Sequence, residues 1–352
     1  MNLYAVIMAG GSGTRFWPKS RQALPKQLIP ITSQKSMIEE TVDRLKAFLP
    51  AERIFVITNP DQGRRILEII PGFKEEQIIY EPFGRDTAAC VGLAAARLAA
   101  RDPEGVMCLL PADHVIRPVE FFAGSIKTGA SVAREQGGFV TIGIKPTFPA
   151  TSYGYIHRSE KISEGIYRVA EFCEKPDLSK AEVFVASGDY FWNGGIFVWK
   201  IETIMTAIRE HMPRLASGLD RIMAQPDSDD VLQDEYQQFE KISIDYGIME
   251  KVDNVFTVEA EFDWDDVGSW SAVRSYYARQ EDNAVCNRNL TAVDSRNNIV
   301  NVSEKKRVVL IDVDDLVVVD TDDALLICPA GSDQKVKAAL DKLKEQGLDK
   351  LL

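Results

Sequence analysis

The apolar positions of the chain fall into successive regimes. Through residue 145 short continuous apolar runs, Leu3 to Ala9, Ile54 to Thr58, Gln77 to Tyr80, Val106 to Leu110 and Phe139 to Ile144, alternate with longer segments of helical periodicity. Continuous runs of this length predict strands covered on both faces. The clearest helix opens on the Ser36-x-x-Glu39 capping box and carries Ile38, Val42, Leu45 and Leu49 on one face, and the Ala-rich Thr87 to Ala100 predicts a second. Such alternation predicts an α/β fold: a Rossmann-like, mostly parallel sheet flanked by helices, with ligands bound beyond the carboxyl ends of its strands. After residue 150 the alternation loosens. Strand-like pieces at Tyr153 to His157, Tyr167 to Glu174 and Gly194 to Trp199 mix with helical ones at Ile201 to His211 and Val231 to Glu240, an insertion expected to decorate the sheet. From Leu290 short Val- and Ile-rich runs (Ile299 to Val302, Val308 to Ile311, Leu316 to Val319, Leu325 to Ile327) follow one another between Asp- and Asn-rich turns, predicting a small C-terminal all-β unit that ends in a helix from Ser332 to Gln346. The expected division is therefore residues 1–280 and 281–352.

Length and charge sharpen this picture. A chain of 352 residues allows about two domains, each with its own core. With 41 basic and 53 acidic residues the net charge is −12, which argues against nucleic acid as a partner because phosphate-backbone binding rests on clustered Lys and Arg. That average hides an uneven distribution: up to Ile38 the chain carries Arg15, Lys19, Arg21, Lys26 and Lys35 and no acid at all, a segment of +5 that leaves −17 for the rest. The five cysteines (Cys90, Cys108, Cys173, Cys286, Cys328) are odd in number, scattered and never in a CxxC pair, which disfavours a disulfide framework or a zinc site and suits a reducing cytoplasm. The apolar run Leu3 to Ala9 is too short for a signal sequence, and no stretch reaches the roughly 18 apolar residues of a membrane span. A cytoplasmic protein with no membrane partner is expected.

Two constellations carry candidate chemistry. Directly after the first predicted strand comes Gly10-Gly-Ser-Gly-Thr-Arg-Phe-Trp-Pro-Lys-Ser-Arg-Gln-Ala-Leu-Pro-Lys-Gln27. Glycines let the backbone approach a phosphate, and the cations neutralise it. No Gly-Lys-Ser/Thr follows at Walker spacing, and Phe16 stands where a dinucleotide fingerprint needs a small residue, so a triphosphate suits the loop best. The second is Leu109-Leu-Pro-Ala-Asp113-His114, where Asp113 ends the fourth strand and can hold Mg²⁺. Five acids, Glu259, Glu261, Asp263, Asp265 and Asp266, interleave with Phe262, Trp264 and Val267, and one of them is expected as the second metal ligand. The histidines His114, His157 and His211 show no ligand spacing, and no G-x-S-x-G elbow exists, which argues against a Ser/His/Asp hydrolase.

These motifs, with Phe83-Gly-Arg-Asp-Thr-Ala-Ala89, Phe172-Cys-Glu-Lys-Pro176, Trp192-Asn-Gly-Gly195 and Phe262 to Trp270, occur in the order found in sugar-1-phosphate nucleotidylyltransferases. Over roughly residues 1 to 280 the chain resembles the guanylyltransferase branch of that family. Lys19 departs from its signature, which usually has Leu after the first Pro. The resemblance implies a GT-A-like nucleotidyltransferase fold and transfer of GMP from GTP to mannose 1-phosphate, giving GDP-mannose and pyrophosphate with Mg²⁺. It implies catalytic roles for Arg15, on the β- and γ-phosphates, and Lys26, on the α-phosphate bridge. It also implies nucleotide contacts from Ala9, Gly10, Gly11, Gly13, Thr14, Glu81, Gly84, Asp86 and Thr87. Sugar-phosphate contacts fall to Gly154, Glu174, Lys175 and Asn193, and metal ligation to Asp113 and Asp266, the acid just before Val-Gly. Glu81 is the first candidate to read the paired N1–H and N2–H of guanine, with Asp86 second. Relatives often pair subunits through a C-terminal left-handed β-helix, so a homodimer is expected, and the roughly 70 residues after Glu281 are too few for the cupin-type isomerase domain of bifunctional relatives. Another sugar 1-phosphate and nucleotide pair, such as glucose 1-phosphate with UTP, dTTP or ATP, or a non-catalytic sugar-nucleotide sensor, is the alternative.

Overall fold

The computed structural model describes residues 2–11 and 13–352; Ser12 of the glycine-rich motif lies outside the described residues. The chain folds into two units. The first comprises the residues up to Gly10, Val42–Ala112 and Ile116–Trp264, and the second comprises Gly11–Thr41, Asp113–Val115 and Asp265–Leu352. The expected boundary after residue 280 falls inside the second unit.

The first unit is an α/β sheet. Its strands are β1 (Leu3–Met8), β2 (Ile54–Thr58), β3 (Ile78–Tyr80), β4 (Val106–Pro111), β6 (Phe139–Ile144), β7 (Tyr155–Ser163), β8 (Ile166–Cys173), β9 (Tyr190–Lys200) and β10 (Val255–Glu259), in the order β3-β2-β1-β4-β9-β6-β10-β8-β7. Two short strands, β5 (Val115–Arg117) and β11 (Asp263–Asp265), lie where the chain passes from one unit to the other. The continuous apolar runs became the parallel strands β3, β2, β1 and β4 and strand β6, which pairs in parallel with β10, a strand the apolar runs had not marked. The segment after residue 150 does more than decorate: β9 inserts antiparallel between β4 and β6, and β7 and β8 extend the far edge. The helices in chain order are α1 (Met37–Lys46), α2 (Pro60–Ile69), α3 (Asp86–Arg101), α4 (Val119–Gln136), α5 (Leu178–Ser187), α6 (Ile201–His211), α7 (Pro213–Ala224), α8 (Asp229–Gln238) and α9 (Val336–Glu345). On one face α3, α6, α7 and α8 bury Leu93, Ile208, Leu219 and Tyr236 against Val6, Leu109 and Phe197. On the other, α4 packs against β9, where a Cβ on Gly129 would make ordinary contact with Val198 at 3.4 Å. The capping box forms as read, with the Ser36 N–H and hydroxyl both donating to Glu39 Oε2 at 2.8 and 2.6 Å.

The second unit is built on β12 (Ala278–Gln280), β13 (Asn283–Val285), β14 (Leu290–Val293), β15 (Ile299–Asn301), β16 (Val308–Ile311), β17 (Leu316–Asp320) and β18 (Leu325–Pro329). Strands β13, β15 and β17 stack in parallel, as do β14 and β16, which gives the coil-on-coil arrangement of a β-helix, while β12 and β18 pair antiparallel at the ends. Buried asparagines tie the turns: Asn298 donates from both its backbone N–H and its Nδ2 to Asn283 Oδ1 at 2.9 Å, and its own Oδ1 accepts from the Leu316 N–H at 2.9 Å. An unpaired buried amide is costly, so each turn residue fixes the next. The core of this unit joins residues far apart in sequence, among them Phe16, Ile29 and Ile31 with Val267, Trp270, Ile299 and Val317. Among the described residues no helix is long and apolar enough to cross a membrane.

Candidate active site

Within the second unit the glycine-rich segment wraps one lysine. Gly13 has φ +52°, and a Cβ there would lie 2.4 Å from the Lys26 backbone nitrogen, so conformation and space both demand glycine. Lys26 is 7% exposed and its ammonium donates to three oxygens: Asp113 Oδ2 at 2.9 Å, the Asp113 carbonyl at 3.1 Å and the Asp266 carbonyl at 2.6 Å. All three N–H groups of the ammonium thus have acceptors. Burial raises the Asp113 carboxyl, but the charges of Lys26 and His114 and the Lys26 hydrogen bond outweigh it and hold the group below the usual carboxylate range.

Asp265 and Asp266, adjacent in sequence, part company here. Asp265 Oδ1 accepts the Val267 N–H at 2.7 Å and its Oδ2 accepts the Tyr276 hydroxyl at 2.8 Å, so Asp265 shapes the turn. Val267, β-branched, is held at φ +45°, an uncommon conformation that costs of order 1–3 kcal/mol and marks a turn fixed by its surroundings. Behind it Trp270 stacks edge-on against Phe16 at 5.0 Å and donates from Nε1 to the Trp17 carbonyl at 3.0 Å. Of the other cations in the basic stretch, Arg21 pairs with Asp323 at 2.7 Å and also donates to the Leu351 carbonyl, whereas Arg15 is exposed.

In the first unit Ala9 follows β1, its N–H bonded to the Ile57 carbonyl at 3.0 Å and its carbonyl accepting the Thr58 hydroxyl at 2.8 Å. Glu81, one residue beyond β3, is 6% exposed. Its Oε1 accepts the Tyr236 hydroxyl at 3.2 Å, and the Cys90 thiol also bonds to it. Burial pushes its carboxyl up to about 7 against both hydrogen bonds. Gly84 and Asp86, by contrast, are exposed. Asp86 sits at φ +65° and caps the Thr87 N–H at 2.7 Å, while the Thr87 hydroxyl accepts the Ile244 N–H at 2.8 Å.

The same unit brings together the four residues expected on the sugar phosphate. Strand β7 pairs with β8 at Tyr155 and Cys173, so Gly154 and Glu174 meet one step further, and a Cβ on Gly154 would lie 2.4 Å from Glu174 Oε2. Strand β9 supplies Asn193, whose N–H bonds to the Gly154 carbonyl at 2.8 Å. Lys175, with φ +45°, folds its ammonium onto Glu174 Oε1 at 2.7 Å, and this bond raises its pKa. One further residue, not singled out in the sequence, joins the group. Asp245 accepts from Asn193 Nδ2 at 2.8 Å, and its carboxyl is pushed up to about 6 by burial and then by the Glu174 charge. It opens a short π-helix, Asp245–Met249, an element frequent at functional sites. The only trace of this in the sequence is a lone acid between Ile244 and Tyr246.

A mixed sheet that begins with parallel strands, a glycine-rich segment after the first of them and, in the second unit, a lysine bonded to two aspartates define an α/β class of protein. The comparisons make the class specific. The nucleotidyl transferase family model matches residues 4–283, and a MannoseP isomerase/GMP-like beta-helix domain model matches residues 288–343. The chain belongs to the nucleotidyl transferase family. It is 35% identical over 358 residues to a mannose-1-phosphate guanylyltransferase of Escherichia coli, covering 98% of this chain and 74% of that protein. It is also 35% identical over 352 residues to the alginate biosynthesis protein AlgA of Pseudomonas putida, covering 97% and 72%. The crystal structure of a mannose-1-phosphate geranyltransferase from Thermus thermophilus superposes with a TM-score of 0.87 at 33% identity, covering 98% of this chain and 100% of that one.

Proposed function

We propose that this protein transfers the GMP moiety of GTP to mannose 1-phosphate, forming GDP-mannose and pyrophosphate. The observation that carries the chemistry is the linking of Asp113 and Asp266 through the Lys26 ammonium; the substrates are those of the curated relatives. In the reaction a phosphate oxygen of mannose 1-phosphate bonds to the α-phosphorus of GTP. The bond from that phosphorus to the α,β-bridging oxygen breaks, and pyrophosphate leaves with the electron pair. The attacking phosphate is already ionised, so no general base is required, and the protein's work is to screen charge, align the attack and stabilise charge on the phosphoryl oxygens.

We assign Arg15 to the β- and γ-phosphates and Lys26 to the α-phosphate, for which Lys26 exchanges one of its protein acceptors. Gly10, Gly11, Gly13 and Thr14 supply the close backbone approach, and Ala9 holds the end of β1. We assign Mg²⁺ to Asp113 and Asp266: the Lys26 ammonium bonds to the Asp113 carboxylate and to the Asp266 backbone carbonyl, which brings the two residues together, and carboxylate oxygens are the donors Mg²⁺ takes. When bound, that ion would screen the two substrates from each other and stabilise the phosphoryl charge. Glu174, Lys175, Asn193 and the close-packed Gly154 form the sugar-phosphate subsite. The five free thiols support a cytoplasmic enzyme. Self-association falls to the outward side chains Val293, Val309 and Ile311 of β14 and β16, each about half exposed or more. Ile311→Lys should shift sedimentation from dimer to monomer, and a wild-type protein that already sediments as a monomer would rule this out.

The test of the activity is pyrophosphate release from a panel of nucleoside triphosphates and sugar 1-phosphates, run with the wild type and with Glu81→Gln. If ionised Glu81 accepts from guanine N1–H and N2–H, the glutamine variant narrows the preference for GTP over ATP. An unaltered ratio moves the role to Asp86. The pH dependence has a defined sign. A carboxyl raised from 4.5 to about 7 holds more protons folded than unfolded between those values. Its contribution to stability is therefore full below 4.5 and lost as pH rises through about 7, whereas its ability to accept from guanine grows over the same rise. Glu81→Gln should abolish both trends.

A further inference from the structure

We propose that Asp245 is a positioning residue of the sugar-phosphate subsite, fixing the side-chain amide of Asn193 in one orientation toward the substrate; this rests on the subsite reading above. Both ends of that amide are committed. Nδ2 donates to Asp245 Oδ1 at 2.8 Å, and Oδ1 accepts the Gly195 N–H at 3.1 Å. Rotating the amide by half a turn would set oxygen against carboxylate and NH₂ against N–H, so the pair of contacts admits one orientation only. What is left for a ligand is one N–H beside a carboxylate and one lone pair, a donor and an acceptor at fixed positions that suit neighbouring sugar hydroxyls.

The backbone around both residues is shaped to produce this contact. In the pairing of β6 with β9 the register shifts between Thr141 and Gly143: Thr141 faces Phe197 but Gly143 faces Asn193, so β9 carries extra residues there. Gly195 lies in this bulge at φ +65°, and bulges commonly re-aim a side chain. Asp245 is held from the other side by α3. The Ile244 N–H bonds to the Thr87 hydroxyl at 2.8 Å, and the Ala88 N–H bonds to the Ile242 carbonyl at 3.2 Å. Gly247 packs closely on Met212, where a Cβ would lie 2.9 Å from Sδ. A carboxylate is an expensive group to keep half-buried beside Glu174, where both burial and that neighbour raise its pKa. An apolar side chain would fill the space at lower cost, and the geometry gives the acid a purpose.

The expected result is that Asp245→Ala raises KM for mannose 1-phosphate about tenfold, as loss of one charge-assisted hydrogen bond predicts, while kcat and KM for GTP stay at wild-type values. Asp245→Asn, whose amide oxygen can accept from Asn193, should recover most of the loss. The double variant Asn193→Ala with Asp245→Ala should be no worse than Asn193→Ala alone, because Asp245 acts through Asn193. Asp245→Ser carries the same comparison if the alanine variant does not fold. A wild-type KM in Asp245→Ala or Asp245→Ser, or additive losses in the double variant, would overturn the proposal. If Asn193→Ala itself leaves KM for mannose 1-phosphate unchanged, the subsite reading fails and takes this inference with it, an outcome distinct from failure of Asp245 alone.

Discussion

Lys26→Ala is expected to lower kcat for pyrophosphate release by about 10² to 10³, or roughly 3 to 4 kcal/mol, the effect of removing a preorganised donor from developing phosphoryl charge. The loss has two sources. One is the donor itself. The other is the alignment of the aspartates, since Lys26 is the group that bonds to both Asp113 and Asp266. Without it the Asp113 carboxylate, now held below its usual range by that ammonium, loses a charged partner. Lys26→Arg should not rescue turnover, because a planar guanidinium cannot reproduce three donations from a point charge to the same oxygens. Steady-state kinetics at saturating substrates decide this, and a variant retaining near-normal kcat would remove Lys26 from the mechanism.

Trp270→Ala should destabilise the protein by about 3–5 kcal/mol, the range for truncating a buried aromatic. Trp270 is fully buried between Phe16 and Val267 in a core that also holds strands β15 and β17, and its indole N–H satisfies the Trp17 carbonyl. The cavity would open behind both the glycine-rich segment and the turn that carries Asp266, so the remaining folded enzyme should also lose turnover. Denaturant unfolding monitored in the second unit measures the effect. A change of under about 1 kcal/mol would mean that this core does not support the site.

Much of this architecture was legible from local pattern. The apolar runs became β1, β2, β3, β4 and β6, and the Ser36 to Glu39 capping box formed, because strand burial and helix capping are written in neighbouring residues. The antiparallel insertion of β9 was not legible. Its run is broken by Asn193, Gly194 and Gly195, and nothing local says that it pairs between β4 and β6. Nor was the joining of the first glycine-rich turn to the C-terminal strands, since Trp17 and Trp270 lie 253 residues apart and such contacts leave no periodicity.

The candidate site shows the same division. Motif order singled out Lys26, Asp113, Asp266, Glu174 and Asn193, and the structure gathers them into two clusters. The sequence assigned Lys26 only to phosphate, whereas in the folded chain its ammonium links the two aspartates. Composition could not separate Asp265 from Asp266; hydrogen bonds to Val267 and Tyr276 give Asp265 its own task. Asp245 left no more than the trace of a lone acid, which reads as an ordinary helix start, and its meaning comes from Asn193 across the fold.

The proposed reaction pairs GTP with mannose 1-phosphate. Pyrophosphate release measured across GTP, ATP, UTP and dTTP, each with mannose 1-phosphate and glucose 1-phosphate in the presence of Mg²⁺, tests it most directly. The highest kcat/KM is expected for GTP with mannose 1-phosphate, with stoichiometric GDP-mannose. A higher value for any other pair, or no release from any pair, would contradict it.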